Sequence, residues 1–485
     1  MIKLSWSRLF IVSLLLVSFA CSTQRTQAPL PLEPLPSAAQ MAWHEMEMNA
    51  FIHFTTNTFT DKEWGYGDEN PAVFNPTALD TDQWISTLQA AGFKGVILTC
   101  KHHDGFCLWP SQYTDHSVKE SPFQKGEADI VKSVSESCQK YGMKFGIYVS
   151  PWDRNRADYG QPSYITYYRN QLKELFTNYG PVFEMWFDGA NGGDGYYGGA
   201  REKREIDRST YYDWPNTLDS VRKMQSDVIF FSDAGPGVRW SGNEAGIGGE
   251  TNWNMLSPDT VYAGKANIEK LLNSGSETGT HWIPAEVNTS IRPGWFYHEK
   301  EDSMVKTPEQ LFDIYLTSVG RGSTLLLNVP PDRRGLLHEN DVRALKEWRT
   351  LIDQTFATDL AQDAIVKSDT YRGNDTQYHA DKLIDKDVKT FWATDDDTKT
   401  GSITLELSES KLIKYVVLQE PIQLGQRVKS FTISVWKNGQ WQEAANGNTI
   451  GYKRIMKIEP TTTTQVRITI NDARACPLLS TVALY

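Results

Sequence analysis

Seven short apolar runs recur between about residues 50 and 330: AFIHFTTN (50–57), GVILTCKHHD (95–104), KFGIYVSPWD (144–153), PVFEMWFDG (181–189), VIFFSDAG (228–235), WIPAEVN (282–288) and STLLLNVPP (323–331). Their near-continuous hydrophobicity predicts strands buried on both faces, as in a parallel sheet. Helix-like stretches lie between them. DTDQWISTLQAAG (80–92) has Asp80 or Thr81 at its start and Gly92 past its end, and DIVKSVSESCQKYG (129–142) stops at Gly142. These are residue types that begin and end helices. The alternation predicts a (β/α)8 TIM-like barrel rather than an open doubly wound sheet. No GxGxxG or P-loop motif follows any strand, which removes the usual nucleotide site.

After about residue 356 the pattern changes to short alternating strands: ITLELS (403–408), LIKYVVLQE (412–420), SFTISVWKNG (430–439) and QVRITIND (465–472). They predict an all-β sandwich, joined to the barrel by a helix over 338–357. The chain therefore divides into a signal peptide (1–20), a lipoprotein-like tether (21–40), a catalytic barrel (41–355) and a C-terminal β-sandwich (356–485).

Polar residues collect where the barrel runs end: His53, then His102, His103 and Asp104, then Trp152 and Asp153, then Asp188, Asp233, and Glu286 with Asn288. One such group, Asp188 before Gly189, would read as a turn. Six in succession predict a ring around a pocket, because barrel active sites sit at the C-terminal ends of the strands. The pair His102–His103 invites a metal reading. Adjacent strand residues point to opposite faces, and the chain has no second HxH and no HExxH, so neutral imidazoles hydrogen-bonding to hydroxyls are expected and no metal.

Charge and composition narrow the partners. Sixty acidic against 49 basic residues give a net charge of −11, which argues against nucleic acid, while 16 Trp and 21 Tyr offer rings for stacking on sugars. Lys3 and Arg8 precede the apolar run LFIVSLLLVSFA (9–20), which is too short to span a bilayer and predicts export. Cys21 follows it as in a bacterial lipoprotein, so a periplasmic, lipid-anchored protein is expected, its only membrane contact being that lipid. The proline-rich stretch 22–37 reads as a tether. Cys100, Cys107, Cys138 and Cys476 show no CxxC spacing, so neither a disulfide framework nor a zinc site is indicated.

A strand-end carboxylate followed by glycines suits attack on a glycosidic carbon, with a second carboxyl group to protonate the leaving oxygen. Asp233, Glu244, Glu250 and Glu286 are the candidates for the second. The motifs FIHFTTNTFTDKEWG, CKHHDGFCLW, KFGIYVSPWD, MWFDGANGG, IRPGWFYH and LLLNVPPDRRGL together resemble family 29 glycoside hydrolases, the retaining α-L-fucosidases. GPGVRWSGNEAG, with TQYHADKLIDKDVKTFWATDD and VLQEPIQLGQRVKSF, resembles the subgroup acting on branched α-1,3/1,4-linked fucose of Lewis-type glycans. The resemblance implies Asp188 as nucleophile and Glu244 as acid/base, with Glu250 as the alternative. It puts His53, Glu63, Trp64, His102, His103, Tyr148, Arg239 and Trp295 around the fucose, with Trp64, Trp186 and Trp295 as an apolar wall for its methyl group. The substrate implied is a fucosylated oligosaccharide or glycoconjugate. The sandwich resembles galactose-binding, discoidin-like domains, expected mainly to pack on the barrel. No cofactor is required; a structural calcium at Asp385, Asp387 and Thr390 is a further expectation. Two other readings stand beside this one: a retaining glycosidase or transglycosidase for another deoxy or galacto-configured sugar, and a carbohydrate-binding protein without catalysis.

Overall fold

A computed structural model describes residues 26–485; the expected signal peptide and Cys21 lie outside the described residues. Eight parallel strands close into a barrel with each strand beside its neighbour in sequence. They are β1 (Met48–Ile52), β2 (Gly95–Lys101), β3 (Lys144–Val149), β4 (Glu184–Trp186), β5 (Ile229–Ser232), β6 (Val238–Trp240), β7 (Ala285–Ser290) and β8 (Thr324–Asn328). Helices behave as the sequence predicts. Asp80 caps Thr81–Ala90 by accepting the Gln83 amide at 3.0 Å. Asp129 caps Ile130–Tyr141 in the same way, and Gly142 ends that helix at φ +68°.

The sequence pattern misses β6. None of the seven predicted runs covers GPGVRWSGNEAG, yet Val238–Trp240 within it pairs in parallel with both β5 and β7. The strand has three residues and follows β5 after only five, with no helix between them. It is too short to show a hydrophobic period.

Alternation along each strand decides what enters the barrel. On β4, Glu184 and Trp186 point inward and Met185 outward, so Asp188 just beyond continues the inward file. Trp186 lies in the interior cluster with Phe51, Ile97, Tyr148, Phe231, Val238 and Leu326, while Met185 and Phe187 pack in the layer between strands and helices. On β2 an irregularity between Thr99 and Lys101 turns Lys101 outward. There it pairs with buried Asp153 at 3.1 Å and sits over the rings of Tyr164, Tyr167 and Tyr168. Breaking such a sealed pair costs roughly 3–5 kcal/mol, so Asp153 belongs to the scaffold and not to the pocket.

The C-terminal domain is antiparallel. Its strands are β9 (Ile365–Ser368), β10 (Gly401–Gln419), β11 (Val428–Lys437), β12 (Gln440–Gly447), β13 (Arg454–Ala473) and β14 (Thr481–Leu484). The order is β9-β10-β13-β11-β12, with β14 on β10. Two predicted strands, 403–408 and 412–420, are one strand interrupted between Glu406 and Lys411. Trp392 is sealed in the sandwich core, so it packs the domain and takes no part in a sugar platform. Two backbone amides of the barrel, Asn252 and Asn254, donate to Thr449 and Gln426 of the sandwich, both at 2.8 Å. Ile422 joins Trp253, Met255 and Trp282 in a shared cluster.

Residues 26–37 do not hang free as the tether reading implies. The Leu32 amide donates to Leu424 O at 3.0 Å, and Arg372 and Arg427 donate to the carbonyls of Gln27 and Leu30. Ser37 then caps the helix Ala38–Met46. From it Gln40 donates to Gly237 O and Trp282 O, and Trp43 to Glu184 Oε2, which closes the lower end of the barrel. Among the described residues no helix is long and apolar enough to cross a membrane.

Candidate active site

The inward files end at the C-terminal mouth of the barrel in a pocket. Asp188 is one-quarter exposed there, more than its strand neighbours. Its Oδ2 accepts the Tyr148 hydroxyl at 3.0 Å and its Oδ1 the Ala190 amide at 2.7 Å. Burial pushes its pKa up, and these two donors hold the rise back. Gly189 is required beside it, because a Cβ there would collide with the Asp233 carboxyl.

Three histidines line the same mouth. His103 hydrogen-bonds Ser150 Oγ through Nδ1 at 2.7 Å, and its Nε2 lies 3.8 Å from Asp188. His53 hydrogen-bonds Asn328 Oδ1 at 2.8 Å, and His102 stacks on Tyr148 with centroids 5.8 Å apart. Burial lowers all three pKa values, to about 3 for His53 and His103. The rings are therefore neutral near pH 7, each able to donate at one nitrogen and accept at the other. Among the described residues no group of three or more His, Cys, Asp or Glu is placed to hold a metal ion.

Trp295 reaches the mouth from the loop after β7. Its ring lies 5.4 Å from His53, and its Nε1 donates to Glu244 Oε2 at 3.2 Å. Glu63 fixes this loop: its oxygens accept the amides of Trp295 and Phe296 and bond His298, which also bonds Asp61. Glu63 thus holds Trp295 in place through the backbone. Burial raises the Glu244 pKa; the Trp295 bond opposes the rise, and the charges of Asp188 and Glu63 add to it. Trp64, 52% exposed, sets its ring edge against His103 and Trp152. Beyond Asp188 the chain forms a hairpin, Gly193–Gly195 with Glu202–Arg204. It docks beside Trp64 through a bond from the Tyr196 amide to Tyr66 O.

Besides Asp104 and Asp153, which bond Thr56 and Lys101, four more residues that the sequence suggests for the pocket are placed differently. Arg239 points out of the barrel, fully buried, and donates to the carbonyls of Leu272, Ile283 and Trp253 and to Asn252 Oδ1. Alternation on the unrecognised β6 explains this, since Val238 and Trp240 take the inward positions. Glu250 has a side chain 79% exposed and pairs with Arg321 at 3.4 Å, while its carbonyl accepts from Arg454 of the sandwich. It stands at the domain junction. Glu286 lies under the pocket floor, buried with Glu184. Burial raises both pKa values. Trp186 donates to Glu286 Oε1 at 3.0 Å and stacks on Phe231, forming that floor rather than a side wall. The calcium trio also closes on itself: Asp385 accepts the Asp387 amide and the Thr390 hydroxyl.

Sequence reasoning overlooks Ser150 and Asn328, which orient His103 and His53. Both stand at strand ends, the signal used for the other residues. Asn328 also donates to Ser290 Oγ and Trp295 O, so one amide joins β8, β7 and the Trp295 loop.

Residues 32–353 match the alpha-L-fucosidase family. The chain belongs to that family. Residues 364–480 match the F5/8 type C domain, as the discoidin-like resemblance implies. Alpha-L-fucosidase 1 of Arabidopsis thaliana is 38% identical over 94% of this fucosidase-family chain and 88% of its own length. A glycoside hydrolase 29 member from an unknown rumen bacterium is 42% identical with a TM-score of 0.84, over 94% of this chain and 78% of the other. A Ruminococcus gnavus GH29 fucosidase solved in complex with fucose is 33% identical with a TM-score of 0.85, over 96% and 97% of the two chains.

Proposed function

We propose that this chain is an exo-acting retaining α-L-fucosidase that removes terminal fucose from glycans by double displacement. The observation that carries the reading is the setting of Asp188. It projects into the barrel mouth with one oxygen bonded to Tyr148 and the other to the Ala190 amide, among neutral imidazoles suited to sugar hydroxyls. Glu244 shares that mouth through Trp295. Glu244 protonates the glycosidic oxygen as Asp188 attacks the anomeric carbon and the leaving group departs. Glu244 then takes a proton from water, which attacks the same carbon, frees Asp188 and restores the original configuration. His53, His102, His103 and Tyr148 accept and donate to the fucose hydroxyls, and Trp295 and Trp64 offer its methyl group an apolar surface. That apolar surface favours fucose over a galacto-configured sugar with a polar C6.

The GNEAG loop supports a preference for α-1,3/1,4-linked fucose on Lewis-type glycans. Incubation with an aryl α-L-fucoside, a Lewis trisaccharide and an α-1,2-fucosylated lactose tests both points. Release of fucose in the α configuration is expected from the first two, followed by NMR before mutarotation. β-Fucose as the first product would overturn retention, and cleavage of only the α-1,2 substrate would overturn the linkage preference.

The N-terminal pattern supports export to the periplasm with a lipid on Cys21. A Cys21→Ser chain should move from the membrane pellet to the soluble periplasmic fraction; unchanged membrane attachment would rule out the lipid as its anchor.

A further inference from the structure

Between the two carboxyl groups of the proposed reaction, in strand order, stands a third. β4 leads to Asp188, β5 to Asp233 and β6 to Glu244. The half-buried Asp233 carboxyl lies against Gly189, the residue after the proposed nucleophile. Its Oδ2 accepts the Gly264 amide at 2.8 Å, while Arg208 donates to Gly264 O at 3.0 Å. This arrangement pins the 262–264 loop over the nucleophile's loop. Pinning uses only one oxygen. Oδ1 has no hydrogen-bond partner among the described residues, and it is not sealed from solvent.

The place of Asp233 around the rim says what that oxygen faces. The groups suited to fucose rise from β1, β2 and β3 and from the Trp295 loop after β7: His53, His102, His103, Tyr148 and Trp295. The arc over β4 to β6 is left for the leaving group, because Glu244 must reach the oxygen that departs. The next sugar presents hydroxyl groups there, and a partly desolvated carboxylate oxygen is a strong acceptor for them. Burial and the charge of Asp188 lift the Asp233 pKa to about 6, so it is mostly ionised at pH 7.

From this geometry we propose that Asp233 Oδ1 accepts a hydroxyl of the sugar that carries the fucose, making Asp233 a specificity residue on the leaving-group side. The assignment rests on the fucosidase reading and extends it beyond the scissile bond.

The test compares wild type, Asp233→Asn and Asp233→Ala on two substrates, an aryl α-L-fucoside and a Lewis trisaccharide, with kcat/KM for each. The aryl leaving group brings no hydroxyl to Oδ1. For Asp233→Ala the trisaccharide-to-aryl ratio should fall about 10- to 100-fold, the size of a lost hydrogen bond to a charged group. Asp233→Asn keeps one oxygen for the Gly264 amide but puts an NH2 group, a donor only, in the place of Oδ1, so its ratio should fall as well while the loop stays pinned. Loss of folded protein lowers both rates together and cancels in the ratio, and Asp233→Asn, which keeps the Gly264 bond, separates loss of the sugar contact from loss of loop order. Equal losses on the two substrates in both variants would overturn the proposal and leave Asp233 as a loop pin. Absence of aryl-fucoside hydrolysis by wild type is a different result, which would overturn the fucosidase reading itself.

Discussion

Asp188→Ala should lose on the order of 10⁴–10⁶-fold in kcat on an aryl α-L-fucoside, the scale seen when a nucleophile is removed from an otherwise intact site. Folding should be little affected. Asp188 carries no buried ion pair, only bonds from Tyr148 and the Ala190 amide and a 3.8 Å approach to His103. Tyr148 can turn its hydroxyl to water admitted by the shorter side chain. Melting temperature near that of wild type with activity gone is the expected combination. Activity within tenfold of wild type would sink the nucleophile assignment.

Glu244→Ala should behave differently because its task depends on the leaving group. A positioned general acid contributes roughly 10²–10⁴-fold, and less where the leaving group needs little protonation. On a substrate with a good leaving group, azide should restore turnover by attacking the fucosyl-enzyme in place of activated water, giving a fucosyl azide. Glu250→Ala, altering an exposed side chain at the domain junction, should keep wild-type kcat; azide rescue there instead would reverse the assignment. The pH profile adds an independent readout. Asp188 must be ionised and Glu244 protonated in the free enzyme, so activity falls below the first pKa and above the second. Burial raises both, which moves both limbs up from those of ordinary carboxyl groups. In Glu244→Gln the alkaline limb should vanish while the acid limb stays, because only Asp188 then titrates in the reacting pair.

The barrel was largely legible because seven apolar runs stand out along the chain and helix-like stretches, several of them capped, lie between many of them. The pocket followed from one rule, that inward files end in polar side chains. The rule failed where alternation could not be counted. β6 is three residues long, so Arg239 looked like a ligand-facing residue although the strand turns it outward. Glu286 is inward but two residues too early, which sets it below Trp186 instead of beside Asp188. Asp104 and Asp153 follow strands whose phase has already shifted: Asp104 accepts from Thr56 Oγ1, and Asp153 pairs with Lys101. Glu63 shows a different limit. Its contacts with Trp295 and Phe296 span 232 and 233 residues, and no local pattern announces a carboxylate whose partners are amides of a distant loop.

The docked stretch before the first helix also has a consequence in time. A chain emerges N-terminus first, whether from the ribosome or across a membrane. The carbonyls of Gln27 and Leu30 are bound by Arg372 and Arg427, which lie 345 and 397 residues later. At synthesis rates of about 5–20 residues per second, that interval is roughly 20–80 s. Until then the earliest described residues have no surface to bind, although the helix after them can already seat under the barrel. The stretch around Gln27 and Leu30 is made early and ordered late, so its docking waits until the chain is made past Arg427.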